Sequence, residues 1–276
     1  MKRRLSVLAF ALMLSAVCAL AAYSPATTSG WFITSGRVAG QGGALFRTDI
    51  WLFNPDDSAT VTLTLLFHPA VDSGQAAAGP ISSSPIALAP RETRFLSDVT
   101  LSTVPAGDGV VGALEWQSTG PVMGAGRIYT FTPTGTYGFF LPAVPQSESM
   151  TAKANASDSA HVLQLYGMNS GDTNFRSNLD ITNTSSVTLP VEVRVIDPAT
   201  SVIYGGTQFF SVAAGSLMRL GQILTTVGAP LEDGLRITVA ITEGTSVGSG
   251  GILAAAYTLD NRTQDAFAFV GQRQSP

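Results

Sequence analysis

Phe46-Arg47-Thr48-Asp49-Ile50-Trp51-Leu52-Phe53-Asn54 returns later in the chain as Phe175-Arg176-Ser177-Asn178-Leu179-Asp180-Ile181-Thr182-Asn183. Both stretches alternate. Phe46, Thr48, Ile50 and Leu52 share one face of an extended strand, and Phe175, Ser177, Leu179 and Ile181 repeat that face. At the same offset Pro69 meets Pro198. Further on, Leu96 and Val99 meet Leu220 and Ile223, Asp108-Gly109 meets Asp233-Gly234, Tyr129-Thr130 meets Tyr257-Thr258, and Phe139 meets Phe267. The offset drifts and returns, as loop-length changes produce. Matches kept in order over most of both halves mark an internal duplication.

Each copy reads as β structure. Val61–Leu65 and Val191–Val195 alternate with period two, and Gly, Pro, Asn, Asp and Ser cluster between the strand candidates. In the first copy the candidates include 109–117 and 121–131 as separate strands. One short helix interrupts each copy, near 97–104 with Ser97 as its N-cap, and near 220–228 with Gly228 as its stop. Residues 146–159 are small and polar, a linker composition. The expected organisation is an all-β chain: a signal peptide over 1–22, a first β-sandwich over 25–145, the linker, and a second β-sandwich over 160–276. The recurrent alternation predicts burial of Phe46, Ile50, Leu52, Leu63, Leu65, Phe139, Phe175, Leu179, Ile181, Val193, Val195 and Phe267.

The two Phe-Arg-[Ser/Thr]-[Asp/Asn] motifs, the Asn closing each strand and the N-terminal signal resemble secreted bacterial proteins built from tandem immunoglobulin-like β-sandwich repeats. The resemblance spans the chain after the signal, implies that fold twice over, and carries no defined activity. The cysteine pair of antibody domains is missing, which leaves the strand order open.

Lys2, Arg3 and Arg4 precede an apolar run from Leu5 to Ala22, with Ala19 and Ala21 at cleavage spacing. This predicts export to the periplasm or beyond. The rival reading, a lipoprotein anchored at Cys18, fits poorly because Val17 is large. Cleavage removes the sole cysteine, and with it any disulfide or thiolate chemistry. It also removes three basic residues and no acid, making the formal charge of −4 more negative. A basic nucleic-acid footprint is therefore absent, and no second apolar run predicts a membrane span. Only 12% of residues are charged while 45% are hydrophobic, which excludes a disordered chain.

Chemistry-bearing patterns are sparse. His68 and His161 have no second His or Cys at ligand spacing, so neither a metal nor a cofactor is expected. His68 reads as a solvated loop residue. No Gly-x-Ser-x-Gly elbow and no phosphate loop occurs. The acid pairs Asp56-Asp57, Glu232-Asp233 and Asp260 with Asp265 sit at turn signals, where carboxylates bond to nearby backbone. The expected function is therefore a non-catalytic structural, adhesive or binding module of the cell envelope, with a protein or glycan as partner. The alternative is a secreted polysaccharide-active hydrolase or its carbohydrate-binding part.

Two features of the repeated strand stand out. Arg47 with Asp49, and Arg176 with Asn178, stand two residues apart on the outer face, where they suit a structural network. Trp51 and Phe53 share that outer face, yet their counterparts are Asp180 and Thr182, which reads as a solvated face in the second copy. Phe140, whose counterpart is Ala268, is the third member of this candidate aromatic patch. Three covers compete for it: the segment 70–85, the second copy, or an external sugar ring or protein.

Overall fold

The computed structural model describes residues 25–132, 135–169 and 174–273. The signal segment, with Cys18, lies outside the described residues. The described residues are all-β apart from two single-turn helices and two short 3₁₀ turns.

The first half contains β1 (Thr27–Ala39), β2 (Leu45–Phe53), β3 (Val61–Pro69), β4 (Ile81–Ser82), β5 (Ile86–Leu88), β6 (Thr93–Leu96), α1 (Val99–Ser102), β7 (Val110–Thr132), β8 (Gly135–Pro142) and β9 (Val144–Pro145). The second contains β10 (Leu163–Met168), β11 (Phe175–Asn183), β12 (Leu189–Ile196), β13 (Ile203–Val212), β14 (Ser216–Leu220), α2 (Ile223–Thr226), β15 (Leu235–Ile241), β16 (Ile252–Asp260), β17 (Ala266–Val270) and β18 (Gln272–Arg273).

Strand pairing repeats between the halves, and the named strands pair antiparallel, with isolated parallel bridges at Ala70–Leu217 and Ala152–Ile241. In the second half, sheet IV runs β13-β12-β15-β10-β18 and sheet III runs β14-β11-β16-β17. In the first half, sheet I pairs β3 with β4, β5 and the opening part of β7, which pairs β1 and through it β9; sheet II runs β6-β2-β7-β8. The two strands expected at 109–117 and 121–131 are one continuous strand, β7, which passes from sheet I into sheet II. Its second-half equivalents, β15 and β16, are separated by a loop. Register also corrects one match: Tyr257 lies opposite Asn178, the place that Arg127 takes opposite Asp49. Tyr129 and Tyr257 are therefore two residues out of step.

The duplicated motif is explained by its hydrogen bonds. Asp49 Oδ1 accepts the Asp98 amide at 2.9 Å, and Asn178 Oδ1 accepts the Gln222 amide at 2.9 Å. Asp98 and Gln222 precede α1 and α2 and both hold left-handed backbones, φ 47° and 50°. Asp98, not Ser97, thus occupies the N-cap position. Only a carbonyl-type oxygen is required of the motif residue, which both Asp and Asn supply. Asn54 and Asn183 likewise hold equivalent turns: Asn54 Nδ2 donates to the Ala59 and Leu88 carbonyls, and Asn183 Nδ2 to those of Val187 and Val212.

Sheets I and II enclose a core containing Phe32, Ile50, Leu52, Leu65, Phe67 and Trp116; sheets III and IV enclose one containing Leu165, Leu179, Ile181, Val193, Val239 and Ala254. Of the residues expected to be buried, Phe175 is only half-buried and Phe267 is exposed. Both sit where sheet III ends, beyond the reach of sheet IV. The linker composition also misleads, because Met150 and Ile252 exchange backbone hydrogen bonds and the buried Lys153 pairs with Glu192 at 2.9 Å.

The halves stack face to face. Trp31, Ile33 and Ala113 on the outer face of sheet I meet Leu217, Leu253 and Ala255 on the outer face of sheet III. The layers follow the order II, I, III, IV, with sheet III also reaching the β8 edge of sheet II, where Tyr257 stacks on Phe139. This arrangement decides which face of the duplicated sheet stays open.

Candidate functional site

Asp180 and Thr182 are not solvated, contrary to the sequence reading. They lie in the junction and are fully buried. Thr182 Oγ1 donates to the Ile33 carbonyl at 2.8 Å. Arg219 grips Asp180 through Nε at 2.8 Å and Nη2 at 2.6 Å, and Nη2 also donates to Thr34 Oγ1. Tyr257 Oη donates to Asp180 Oδ2 at 3.1 Å. Burial drags the Arg219 guanidinium down, but Asp180 and Tyr257 outweigh it and the net shift is upward. Burial pushes the Tyr257 phenol up, and Asp180 adds to the rise.

Among the described residues the equivalent face of sheet II has no such cover. The segment after β3 runs to the second half instead, where the Val71 amide donates to Leu217 and the Gly74 amide to Ser211. The second half docks on sheet I and reaches sheet II only at its β8 edge, beside Phe139 and Phe140. Of the three candidate covers, neither internal one occupies this face.

Matched by register, the two faces differ in kind. The covered face carries the ion pair Asp180–Arg219 and Ala268, where the open face carries Trp51–Phe95 and Phe140. Small residues and a saturated ion pair permit close approach of two sheets. Large aromatics on the open face have no such partner layer.

The open face is organised around Asp49. Its carboxylate is buried and accepts from Arg127 Nη2 at 2.7 Å, Arg127 Nε at 3.0 Å and Tyr129 Oη at 3.3 Å. Burial raises the Tyr129 phenol, and the Asp49 charge raises it further. Held this way, the Arg127 guanidinium lies over the rings of Tyr129 and Trp51, 4.2 and 5.6 Å from their centroids. Trp51 packs on Phe95 at 5.0 Å, and both are edged by solvent. Phe140, opposite Arg127 on β8, is 65% exposed. Trp51, Arg127, Tyr129 and Phe140 line a shallow depression of about 430 Å³. Phe53 is half-buried at the far end of the strand.

Arg47 does not bond to Asp49. It lies 3.9 Å from Asp98 and over the Phe131 ring, which is itself exposed. Arg176 donates to the side-chain oxygens of Asn261 and Gln264. Phe95, Arg127, Tyr129 and Phe131 were missed by the sequence reading of the patch. The signal for the β7 residues was their alternation, since Arg127, Tyr129 and Phe131 share one face of that strand.

The remaining candidates have structural partners. His68 is buried, contrary to expectation, with Nδ1 2.9 Å from the Gly215 carbonyl and Nε2 2.9 Å from Glu115, so it ties the halves together. Asp56 Oδ1 accepts the amides of Ser58 and Ala59, and Asp57 pairs with Arg91. Asp260 Oδ1 accepts the amides of Arg262 and Thr263, and Glu232 accepts from Tyr204. Among the described residues no three His, Cys, Asp or Glu gather as a metal site. No helix among them is long and apolar enough to cross a membrane.

No family model and no curated protein matches the chain. Among solved structures, it is similar to a lectin from Pleurotus ostreatus solved in complex with GalNAc, at 9% identity, over 91% of this chain and 86% of that one, with a TM-score of 0.25. A score that low transfers neither fold nor ligand.

Proposed function

We propose that the protein is an exported, non-catalytic binding module of the cell envelope. It consists of two tandem immunoglobulin-like sandwiches, and the outer face of sheet II binds a saccharide. One observation carries this reading: the second half buries the equivalent face under the first half, whereas the first half leaves its version open. That open face bears Trp51, Phe95 and Phe140 around the Asp49–Arg127 pair. Aromatic rings offer flat apolar surface to the C–H face of a sugar, and the neighbouring Arg and Tyr offer donors to its hydroxyls.

The test is a glycan panel and envelope polysaccharide fractions titrated against the mature protein and a Trp51→Ala/Phe140→Ser variant. The expected result is saturable binding that weakens about tenfold or more in the variant, with melting unchanged within a few degrees. Saccharide binding that survives both substitutions, or none to any panel member, overturns the reading. Retention of an envelope protein instead of a glycan would transfer the face to a protein partner.

A further inference from the structure

A second cavity, of about 400 Å³, lies between the two halves; it shares Ile128 and Phe139 with the aromatic depression but none of Trp51, Arg127, Tyr129 and Phe140. The first half supplies the apolar Phe46, Ile128 and Phe139; the second supplies Arg176, Asn178, Arg219 and Tyr257, with Leu259 beside Arg176. Among the described residues the charge on the second half's side of the cavity does not balance. Asp180 is committed to Arg219 through two hydrogen bonds and to Tyr257. Among the described residues Arg176 meets the neutral side-chain amides of Asn261 and Gln264, and no carboxylate of theirs forms an ion pair with it.

The duplication shows that this imbalance is particular to the second half. In the first, the motif arginine, Arg47, has two acids beside it: Asp49 on the same strand face and Asp98 at 3.9 Å. Their counterparts beside Arg176 are Asn178 and Gln222, placed by the same helix-capping hydrogen bond. The geometry is kept and both negative charges are gone. Burial accordingly lowers the Arg176 guanidinium with no acid to offset it. A half-buried arginine fork without a carboxylate, facing an apolar wall, suits a planar monoanion with a hydrocarbon body.

We propose that this cavity binds a small monocarboxylate, its carboxylate held by Arg176 and its short apolar body against Phe46, Phe139 and Leu259. The size falls at the lower end of small-molecule sites, and one uncompensated positive charge matches one carboxylate rather than a polyanion.

The experiment titrates hexanoate and benzoate into the mature protein by calorimetry, with hexanamide and benzamide as uncharged matches and inorganic sulfate as a body-less anion. Saturable binding of a carboxylate is expected, about tenfold or more tighter than its amide, with sulfate a poor competitor. Two variants should abolish it: Arg176→Gln, and Asn178→Asp, which restores an acid of the first half at a position where Asp49 shows that Asp still caps the helix. Trp51→Ala should leave it intact, which separates this site from the saccharide face. No carboxylate binding up to about 10 mM, equal binding of the amides, equal competition by sulfate, or binding that persists in Asn178→Asp would each overturn the proposal.

Discussion

Two buried aspartates on equivalent strands show how a residue's cost of loss depends on its partner's burial. Asp180 is fully buried in the junction, and Arg219, 28% exposed, is held there by Thr34 and Tyr257. Asp180→Ala takes the carboxylate from that mostly buried guanidinium and also strands the Tyr257 hydroxyl, and should cost about 3 kcal/mol in urea unfolding. Asp49 is as buried, but its partner Arg127 is 43% exposed and can turn into solvent. Asp49→Asn keeps the oxygen that caps α1 and should cost about 1 kcal/mol or less. A pH titration tests the same cluster. Tyr257 titrates above the ordinary tyrosine value of 10.0 in the folded chain because burial and Asp180 oppose the phenolate. Its contribution to stability is thus complete below about pH 10 and declines as pH rises through the folded value. Tyr257→Phe should flatten the alkaline fall measured by denaturant midpoints above pH 10.

At the scale of elements, β16 and the second part of β7 show what a strand's surroundings do to its sequence. β16 reads Ile252-Leu253-Ala254-Ala255-Ala256-Tyr257-Thr258-Leu259, without alternation, because both of its faces are covered. Ile252, Ala254 and Ala256 point into their own core, and Leu253 and Ala255 into the junction. The corresponding part of β7 alternates between glycine or core residues and Arg127, Tyr129 and Phe131, because one face is open. Ala125 and Ala255 occupy the same register position, opposite Trp51 and Asp180. Ala125→Asp should therefore change stability by less than about 1 kcal/mol. Ala255→Asp, which buries a new charge against sheet I, should cost about 3 kcal/mol or more, both read from chemical denaturation.

This contrast also explains what the sequence could and could not reveal. The repeat, the strands and the outward direction of Trp51 and Phe140 were legible, because alternation and turn residues are local signals. Asp180 and Thr182 were misread, because a polar side chain saturated by partners inside a junction has the same spelling as one saturated by water. Their burial depends on Arg219 and on the Ile33 carbonyl, which no local pattern links to β11. The unbroken apolar run of β16 was the available clue that the second copy is covered on both sides. His68 carried no clue at all, since its partners Glu115 and Gly215 come from another strand and from the other half.

For the whole molecule, the stacking of four sheets makes the halves thermodynamically dependent on each other. Tyr257 and Leu259 of the second half belong to the first half's core, where Tyr257 stacks on Phe139 at 5.4 Å. Backbone hydrogen bonds cross from Val71 to Leu217, and His68 joins Glu115 to the Gly215 carbonyl. Opening the junction would expose Trp31, Ile33, Leu217 and Leu253 and strip partners from Thr182 and Arg219, so neither half can unfold without damaging the other. Calorimetry of the protein should then show one transition, with calorimetric and van't Hoff enthalpies in a ratio of about 1. A separately expressed 146–273 fragment should associate or precipitate, because its sheet III face is built to be covered. Two resolved transitions, with a monomeric and folded fragment, would mean that the junction contributes little and that the halves behave as independent beads.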